Sequence, residues 1–209
     1  MEQRSDEWFK ARLGRFTGST ISKLMGGPAT REGEILQKVE EILTGGWREI
    51  NAPSLEWGTK LEPALIYEYE KRTKQSVGDI AFVPFGEWGG CSPDGKILGK
   101  NKIIEGKCPS NGRYHLEALL IKDQEDFKNN ATIKKRGYYN QVIWNMMVTG
   151  ADACDWISYD PRFNSPLNMR IITIEHDQER WEEIQQAFIG AVEEAQAIIN
   201  LIYQNNGML

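Results

Sequence analysis

Cysteine and histidine are scarce in this chain, and their scarcity removes several chemistries at once. Cys91, Cys108 and Cys154 are its three cysteines, irregularly spaced, which argues against a disulfide framework, a zinc ribbon or an iron-sulfur cluster and for a reducing compartment. His115 and His176 are the two histidines and stand in unrelated contexts, so neither suggests a catalytic base. Long hydrophobic runs are missing too: the N-terminus shows no apolar stretch, no signal peptide or membrane span stands out, and a soluble cytoplasmic protein is expected. Repeats and low-complexity linkers are not found. The formal charge of -5 is too mildly acidic for a general nucleic-acid sponge, while a local basic groove stays open. With 209 residues and 40% hydrophobic content, the sequence predicts one domain over 1–209 that buries a full core.

What is present centres on Ser92-Pro93-Asp94-Gly95 and Lys102-Ile103-Ile104-Glu105-Gly106-Lys107. The intervening residues suffice for a short hairpin turning at Leu98-Gly99-Lys100-Asn101, which brings the second strand back beside the end of the first. Side chains alternate along a strand, so Glu105 and Lys107 share a face while Gly106 leaves its carbonyl accessible. Two carboxylates and a carbonyl suit a hard cation, Mg2+ or Mn2+, and the Lys107 ammonium would orient a metal-bound water or stabilise charge developing on phosphorus. A plain hairpin with a surface aspartate and a Glu-Lys pair needs no function. The flanks favour a site: Ile103 and Ile104 mark a buried strand that delivers charge at its end, and Pro93, with no N–H to give a ladder, sits where the first strand bends or ends.

The remaining chain reads as an alternation of helices and strands. Ser5 caps a short helix with Asp6 and Glu7 in its first turn and Gly14 at its end, and Arg12 in the last turn complements the helix dipole. Thr17 and Ser19 open a second helix, with Ser19 readable equally as a cap or as part of an anion site. Residues 32–44 form an amphipathic core helix with Ile35, Leu36, Val39, Ile42 and Leu43 on one face, ended by Gly45-Gly46. A loop through Asn51, Pro53 and Ser54 leads to a helix carrying Trp57, Leu61, Glu62, Ala64 and Leu65. Val77 to Phe85 is the strand before Asp94. Arg113 to Arg136 reads as a solvated helical face, in which Lys134-Lys135-Arg136 could track a DNA backbone. Gly137 to Val148 is a helix placing Tyr138 and Gln141 on one face. Strands at 154–159 and 169–174 precede a closing helix capped by Asp177, whose stripe from Trp181 to Ile202 packs on the sheet or on another subunit. The whole is an α/β fold with a central mixed β-sheet flanked by helices.

Several ordered motifs carry a family likeness: Asp6-Glu7-Trp8 with Arg12-Leu13-Gly14 and Thr17-Gly18-Ser19; Trp57-Gly58-Thr59-Lys60-Leu61-Glu62; Cys91-Ser92-Pro93-Asp94-Gly95; Gly106-Lys107-Cys108-Pro109; Tyr138-Tyr139-Asn140-Gln141; and Tyr159-Asp160-Pro161-Arg162. Over about residues 6–175 the chain resembles the viral recombination exonucleases of the phage lambda type (YqaJ-like), members of the PD-(D/E)xK nuclease superfamily. That resemblance implies a PD-(D/E)xK core and a Mg2+-dependent 5'-3' exonuclease, with Mn2+ a possible substitute and two ions per site. Its product is mononucleotides and a 3' single-stranded tail for recombination. Asp94, Glu105, the Gly106 carbonyl and Glu62 would hold the metals, Glu62 as a third carboxylate on a helix where most glutamates are solvated. Lys107 would position water, with Gln141 beside the active centre and Tyr138 supporting it. Arg12, with Thr17, Ser19 and Ser92, would hold the terminal 5' phosphate, and Leu55 would be the apolar wedge that separates the strands. Gly26 to Arg31 is shorter than the family pattern, so Arg31 is given no role in that pocket. The partners implied are linear double-stranded DNA, a single-strand annealing protein and two further copies in a homotrimeric ring, in the host cytoplasm for a phage-encoded protein. The competing readings are a restriction or nicking endonuclease and a non-catalytic DNA-end-binding module.

Overall fold

A computed structural model describes residues 3–46 and 53–207; of the loop expected through Asn51, Pro53 and Ser54, Asn51 lies outside them, while Pro53 and Ser54 already belong to the following helix. In chain order the elements are α1 (Asp6–Arg12), β1 (Phe16–Thr17), α2 (Ile21–Leu24), α3 (Pro28–Thr44), α4 (Pro53–Thr73), β2 (Val77–Gly78), β3 (Val83–Phe85), β4 (Gly89–Cys91), β5 (Gly95–Ile97) and β6 (Lys102–Lys107). They continue with α5 (Gly112–Leu120), α6 (Gln124–Asn129), α7 (Ala131–Arg136), α8 (Tyr138–Thr149), β7 (Ala153–Tyr159), β8 (Met169–Glu175) and α9 (Gln178–Asn205). The caps expected from the sequence form. Ser5 Oγ accepts from the Trp8 N–H at 3.3 Å to start α1, and the Asp177 carboxylate accepts from the Arg180 N–H at 3.0 Å to start α9.

Two sheets share the interior. A five-stranded mixed sheet has the order β2-β5-β6-β7-β8, and a three-stranded sheet the order β1-β4-β3. Strands β6 and β7 run parallel, and the chain crosses between them through α5 to α8, as a parallel pair requires. Both faces of the large sheet are covered, which explains why β6 and β7 carry apolar residues without a polar side. Ile103, Cys154 and Trp156 point into a core shared with Phe16, Trp144 and Phe188, whereas Ile104, Ile157 and Tyr159 point the other way, against Leu65 and Tyr69 of α4. Burial of each large side chain contributes roughly 1.5–3 kcal/mol. The closing helix packs its middle into the core: the Phe188 ring lies 5.0 Å from Trp144, 5.8 Å from Phe85 and 6.1 Å from Phe16.

Four sequence expectations are corrected. The single strand over 77–85 is two strands in different sheets, β2 against β5 and β3 against β4. Thr17 and Ser19 do not open the second helix: Thr17 ends β1, and α2 begins after Thr20. The helix expected over 32–44 starts at Pro28 and buries Ile35 and Val39, but it exposes Leu36 and buries Glu34, Lys38 and Glu41 in their place. A hydrophobic count misses this because the charges satisfy one another, Lys38 with Glu41 at 2.9 Å and Lys23 with Glu34 at 2.6 Å. The polar region 113–136 is three short helices rather than a solvated face, anchored by fully buried Phe127 and by Ile133.

Candidate active site

The expected hairpin forms, and Asp94, Gly106 and Lys107 line a cleft of about 1070 Å³ with Glu105 buried beside them. Gly95 pairs with Ile104 and Lys96 with Ile103, with the turn at 98–101 between β5 and β6. The first strand does break at Pro93: β4 ends at Cys91 in the small sheet and β5 starts at Gly95 in the large one. Asp94 therefore sits at the crossing between sheets. There its Oδ2 accepts from the Gly106 N–H at 2.7 Å, which ties it to the end of β6. Gly106 is required for a second reason. A Cβ at this position would lie 2.7 Å from Leu65 Cδ1, so only glycine lets α4 come down on the strand end and bring Glu62, one turn earlier, to the cleft.

Glu105 and Lys107 share the face opposite Gly106, as the strand period requires. Lys107 Nζ lies 2.5 Å from Glu105 Oε1, with the carboxylate buried and the lysine side chain 22% exposed. Glu105 accepts two further hydrogen bonds from α8, from Gln141 Nε2 to Oε1 at 2.7 Å and from Asn145 Nδ2 to Oε2 at 2.9 Å. Asn145, 1% exposed, was not foreseen. The available signal was its position four residues after Gln141 in an otherwise apolar helix, which puts both amides on one face. Tyr138 also reaches the site, with its ring 5.9 Å from that of Trp156. Its ring lies 5.0 Å from Lys107 Nζ, and its hydroxyl accepts from Arg136 at 3.4 Å.

Electrostatics divide the charged groups. Burial, then the neighbouring charge of Glu105, pushes the Asp94 carboxyl up to about 8; Glu62 adds to this, while Lys107 and the Gly106 N–H oppose it. Burial would lower the Lys107 amine, but the charges of Glu105 and Asp94 outweigh it and hold the ammonium protonated well above its ordinary range. Cys108 at the cleft wall is pushed up to about 12 by burial and by Asp94 and Glu62, so its thiol is inert. Among the described residues no three His, Cys, Asp or Glu side chains already form a group able to hold a metal ion. The reason is the pairing of Glu62 with Arg4 at 2.8 Å and the bonding of both Glu105 oxygens to α8 and Lys107. Asp94, Glu105 and Glu62 still fit a hard divalent cation in type. All are oxygen donors, and the mutual repulsion that raises Asp94 is what such a charge relieves.

The second arm of the cleft is built on α1. The Arg12 guanidinium stacks over Trp8 at 4.1 Å and donates to Ser92 Oγ and Thr17 Oγ1, both at 3.3 Å. Trp8 Nε1 donates to Ser92 Oγ at 2.9 Å, and Thr17 Oγ1 lies 3.3 Å from Ser19 Oγ. These partners are neutral, and no described carboxylate pairs with Arg12. Burial lowers the guanidinium to about 10, only partly offset by Cys91, Glu105 and Glu41. A desolvated cation held by hydroxyls, with Ser19 lining the same cleft, has the chemistry of an anion site. Trp8 stands in the family motif without a role of its own, although its place four residues before Arg12 in α1 is the spacing for such stacking. Leu55, 54% exposed, lines the same cleft. Arg31 is engaged elsewhere, 3.0 Å from Glu194 of α9. His115 is buried between Ser158 Oγ and the Leu167 carbonyl, a structural role.

Similarity to known proteins runs over most of the chain. The family model for the YqaJ-like viral recombinase domain matches residues 7–152. The solved alkaline exonuclease LHK-Exo from Laribacter hongkongensis is similar at 29% identity and a TM-score of 0.84, covering 97% of this chain and 98% of its own. The same protein in complex with dAMP gives 0.85 over the same shares at 29% identity. A phage related exonuclease from Haemophilus somnus 129PT shares the fold at a TM-score of 0.75 and 14% identity, covering 90% of this chain and 96% of its own. No curated protein sequence matches the chain significantly.

Proposed function

The chain belongs to the YqaJ-like viral recombinase domain family, and from that membership and the two-armed cleft we propose a Mg2+-dependent 5'-3' exonuclease of linear double-stranded DNA, acting as one domain over 1–209. The observation that carries the reading is the meeting of Asp94, Glu105 and Lys107 at the sheet end, where Asp94 and Lys107 line the same cleft as a desolvated Arg12 that has no described carboxylate partner. Asp94, Glu105, the Gly106 carbonyl and Glu62 would hold Mg2+ or Mn2+, two ions per site, with Glu62 giving up Arg4. The cations would supply an activated water and charge stabilisation on the leaving 3' oxygen.

The chain's own residues do the rest. Arg12, with the Thr17, Ser19 and Ser92 hydroxyls, grips the terminal 5' phosphate, and a guanidinium fork suits its paired oxygens. Leu55, exposed on the cleft lining, would serve as the wedge that parts the strands. Lys107, kept as an ammonium, orients the attacking water and meets negative charge on phosphorus, while Tyr138 shields it. Gln141 keeps Glu105 directed into the site. Release of mononucleotides would leave a 3' tail for an annealing partner; that partner, a homotrimeric ring and the host cytoplasm follow from the family resemblance. No described helix is long and apolar enough to cross a membrane.

Digestion of end-labelled linear duplex with and without Mg2+, on 5'-phosphate and 5'-hydroxyl ends and beside a covalently closed circle, tests the proposal. It expects mononucleotides from phosphorylated linear ends and intact circles. Circles cut as readily as linear DNA would indicate an endonuclease, and no metal-stimulated loss of DNA an end-binding module.

A further inference from the structure

The amide of Asn145 has one satisfied end and one bare end. Its Nδ2 donates to Glu105 Oε2 at 2.9 Å, while its Oδ1 is buried with no hydrogen-bond partner. An unsatisfied buried carbonyl oxygen is costly, and turning the amide over would face oxygen to oxygen at Glu105. What occupies the space beside that oxygen is the backbone of Gly18, between Thr17 and Ser19. A Cβ on Gly18 would lie 2.3 Å from Asn145 Oδ1 and 3.2 Å from Gln141 Cγ. The backbone angle of Gly18 lies outside the left-handed region, so the contact with these two amides, rather than conformational freedom, demands glycine here.

We infer that Asn145 is a positioning residue for Glu105, and that the close contact of Gly18 with Asn145 and Gln141 couples the Thr17–Ser19 segment of the phosphate arm to the catalytic carboxylate. The inference rests on the proposed role of Glu105. Asn145 is 1% exposed and acts through the Glu105 rotamer. Lys107 and Gln141 both bind Oε1, so among the side-chain hydrogen bonds to Glu105 only the one from Asn145 reaches Oε2. Movement of the Thr17–Ser19 turn on binding a terminal phosphate therefore bears on the amides that aim Glu105.

The test is a double-mutant cycle of Asn145→Ala and Gly18→Ala, well below the melting temperature of each variant. Turnover and KM on 5'-phosphorylated duplex are measured beside DNA-end binding without metal. Each single variant is expected to lose roughly 10- to 100-fold in kcat, as for partners that orient ligand groups, with end binding within about threefold of wild type. The double variant is expected to be no slower than Asn145→Ala, because the obstructing amide is gone. Multiplicative losses, or wild-type kcat in Asn145→Ala, overturn the inference. If Asn145→Ala does not fold, Gly18→Ala alone decides: unchanged kcat overturns it, and reduced kcat with intact end binding supports it. A Glu105→Gln control separates the two failures. If that variant turns over normally, the role of Glu105 falls and this inference with it; if it is inactive while Asn145→Ala is normal, only the inference falls.

Discussion

Replacing Arg12 by methionine should separate stability from recognition. The methionine keeps an apolar stem over Trp8 and removes the charge. In the folded protein that charge is poorly compensated: two hydroxyls at 3.3 Å, a ring face at 4.1 Å and no carboxylate. Burial from 12.5 to about 10 corresponds to roughly 3 kcal/mol at most against the charged form, and screening at a partly exposed side chain reduces this to about 1 kcal/mol. Because the folded value of this base lies below the unfolded one, the penalty acts at every pH below about 10, including neutrality. Arg12→Met is therefore expected to leave the unfolding free energy unchanged or raise it by up to ~1 kcal/mol, offset in part by the lost cation-π contact of ~0.5–1 kcal/mol. Recognition should move the other way. Hydrogen bonds to a charged group are worth about 1.5–3 kcal/mol, so the preference for 5'-phosphate over 5'-hydroxyl ends should fall by roughly 10- to 100-fold. Urea unfolding gives the first quantity and paired digestion of the two substrates the second. A preserved phosphate preference refutes the assignment, and a stability loss above about 2 kcal/mol refutes the electrostatic reasoning behind it.

Further expectations follow from contacts in the fold. Gly106→Ala forces a methyl to 2.7 Å from Leu65 and should cost about 1–3 kcal/mol by urea unfolding, with a matching loss of nuclease rate as α4 and Glu62 shift; Leu65→Val should recover part of both, and a Gly106→Ala protein like wild type would disprove the close packing. Tyr69→Phe removes a 2.6 Å donor from buried Asp155, which keeps Thr173 and Lys102, and should cost roughly 1.5–3 kcal/mol without changing nuclease rate, since Tyr69 lies outside the cleft. At Asp177 burial raises the carboxyl, but hydrogen bonds from Lys128, Tyr139 and the Arg180 N–H outweigh it and hold it at about 2. Its stabilisation of about 2 kcal/mol is present above the unfolded value near 3.8 and disappears as pH falls through about 2, so the stability gap between wild type and Asp177→Asn should be constant above pH ~5 and close toward pH ~2.

Much of this was readable from residue order alone where one local rule decides the outcome. Alternation along a strand put Glu105 and Lys107 together, the Ser5 and Asp177 caps started their helices, and Pro93 marked the break that places Asp94. The errors share a cause: each needed a partner distant in sequence. Glu34, Lys38 and Glu41 are polar by any count, yet they are buried because Lys23 and the Gly14 N–H meet them. The region around Phe127 looked solvated because its apolar residues are few, although Phe127 packs 4.8 Å from Trp156 in another element. The pairing of Glu62 with Arg4 depends on the approach of the N-terminal segment, which no helical period encodes.

The most direct measurement follows release of label from 5'-phosphorylated linear duplex in Mg2+ by wild-type protein and Lys107→Ala side by side, with binding to the same DNA end determined without metal. The account predicts mononucleotides from the wild type and none from the variant, while both hold the end with similar affinity. Equal turnover by the two proteins would contradict it.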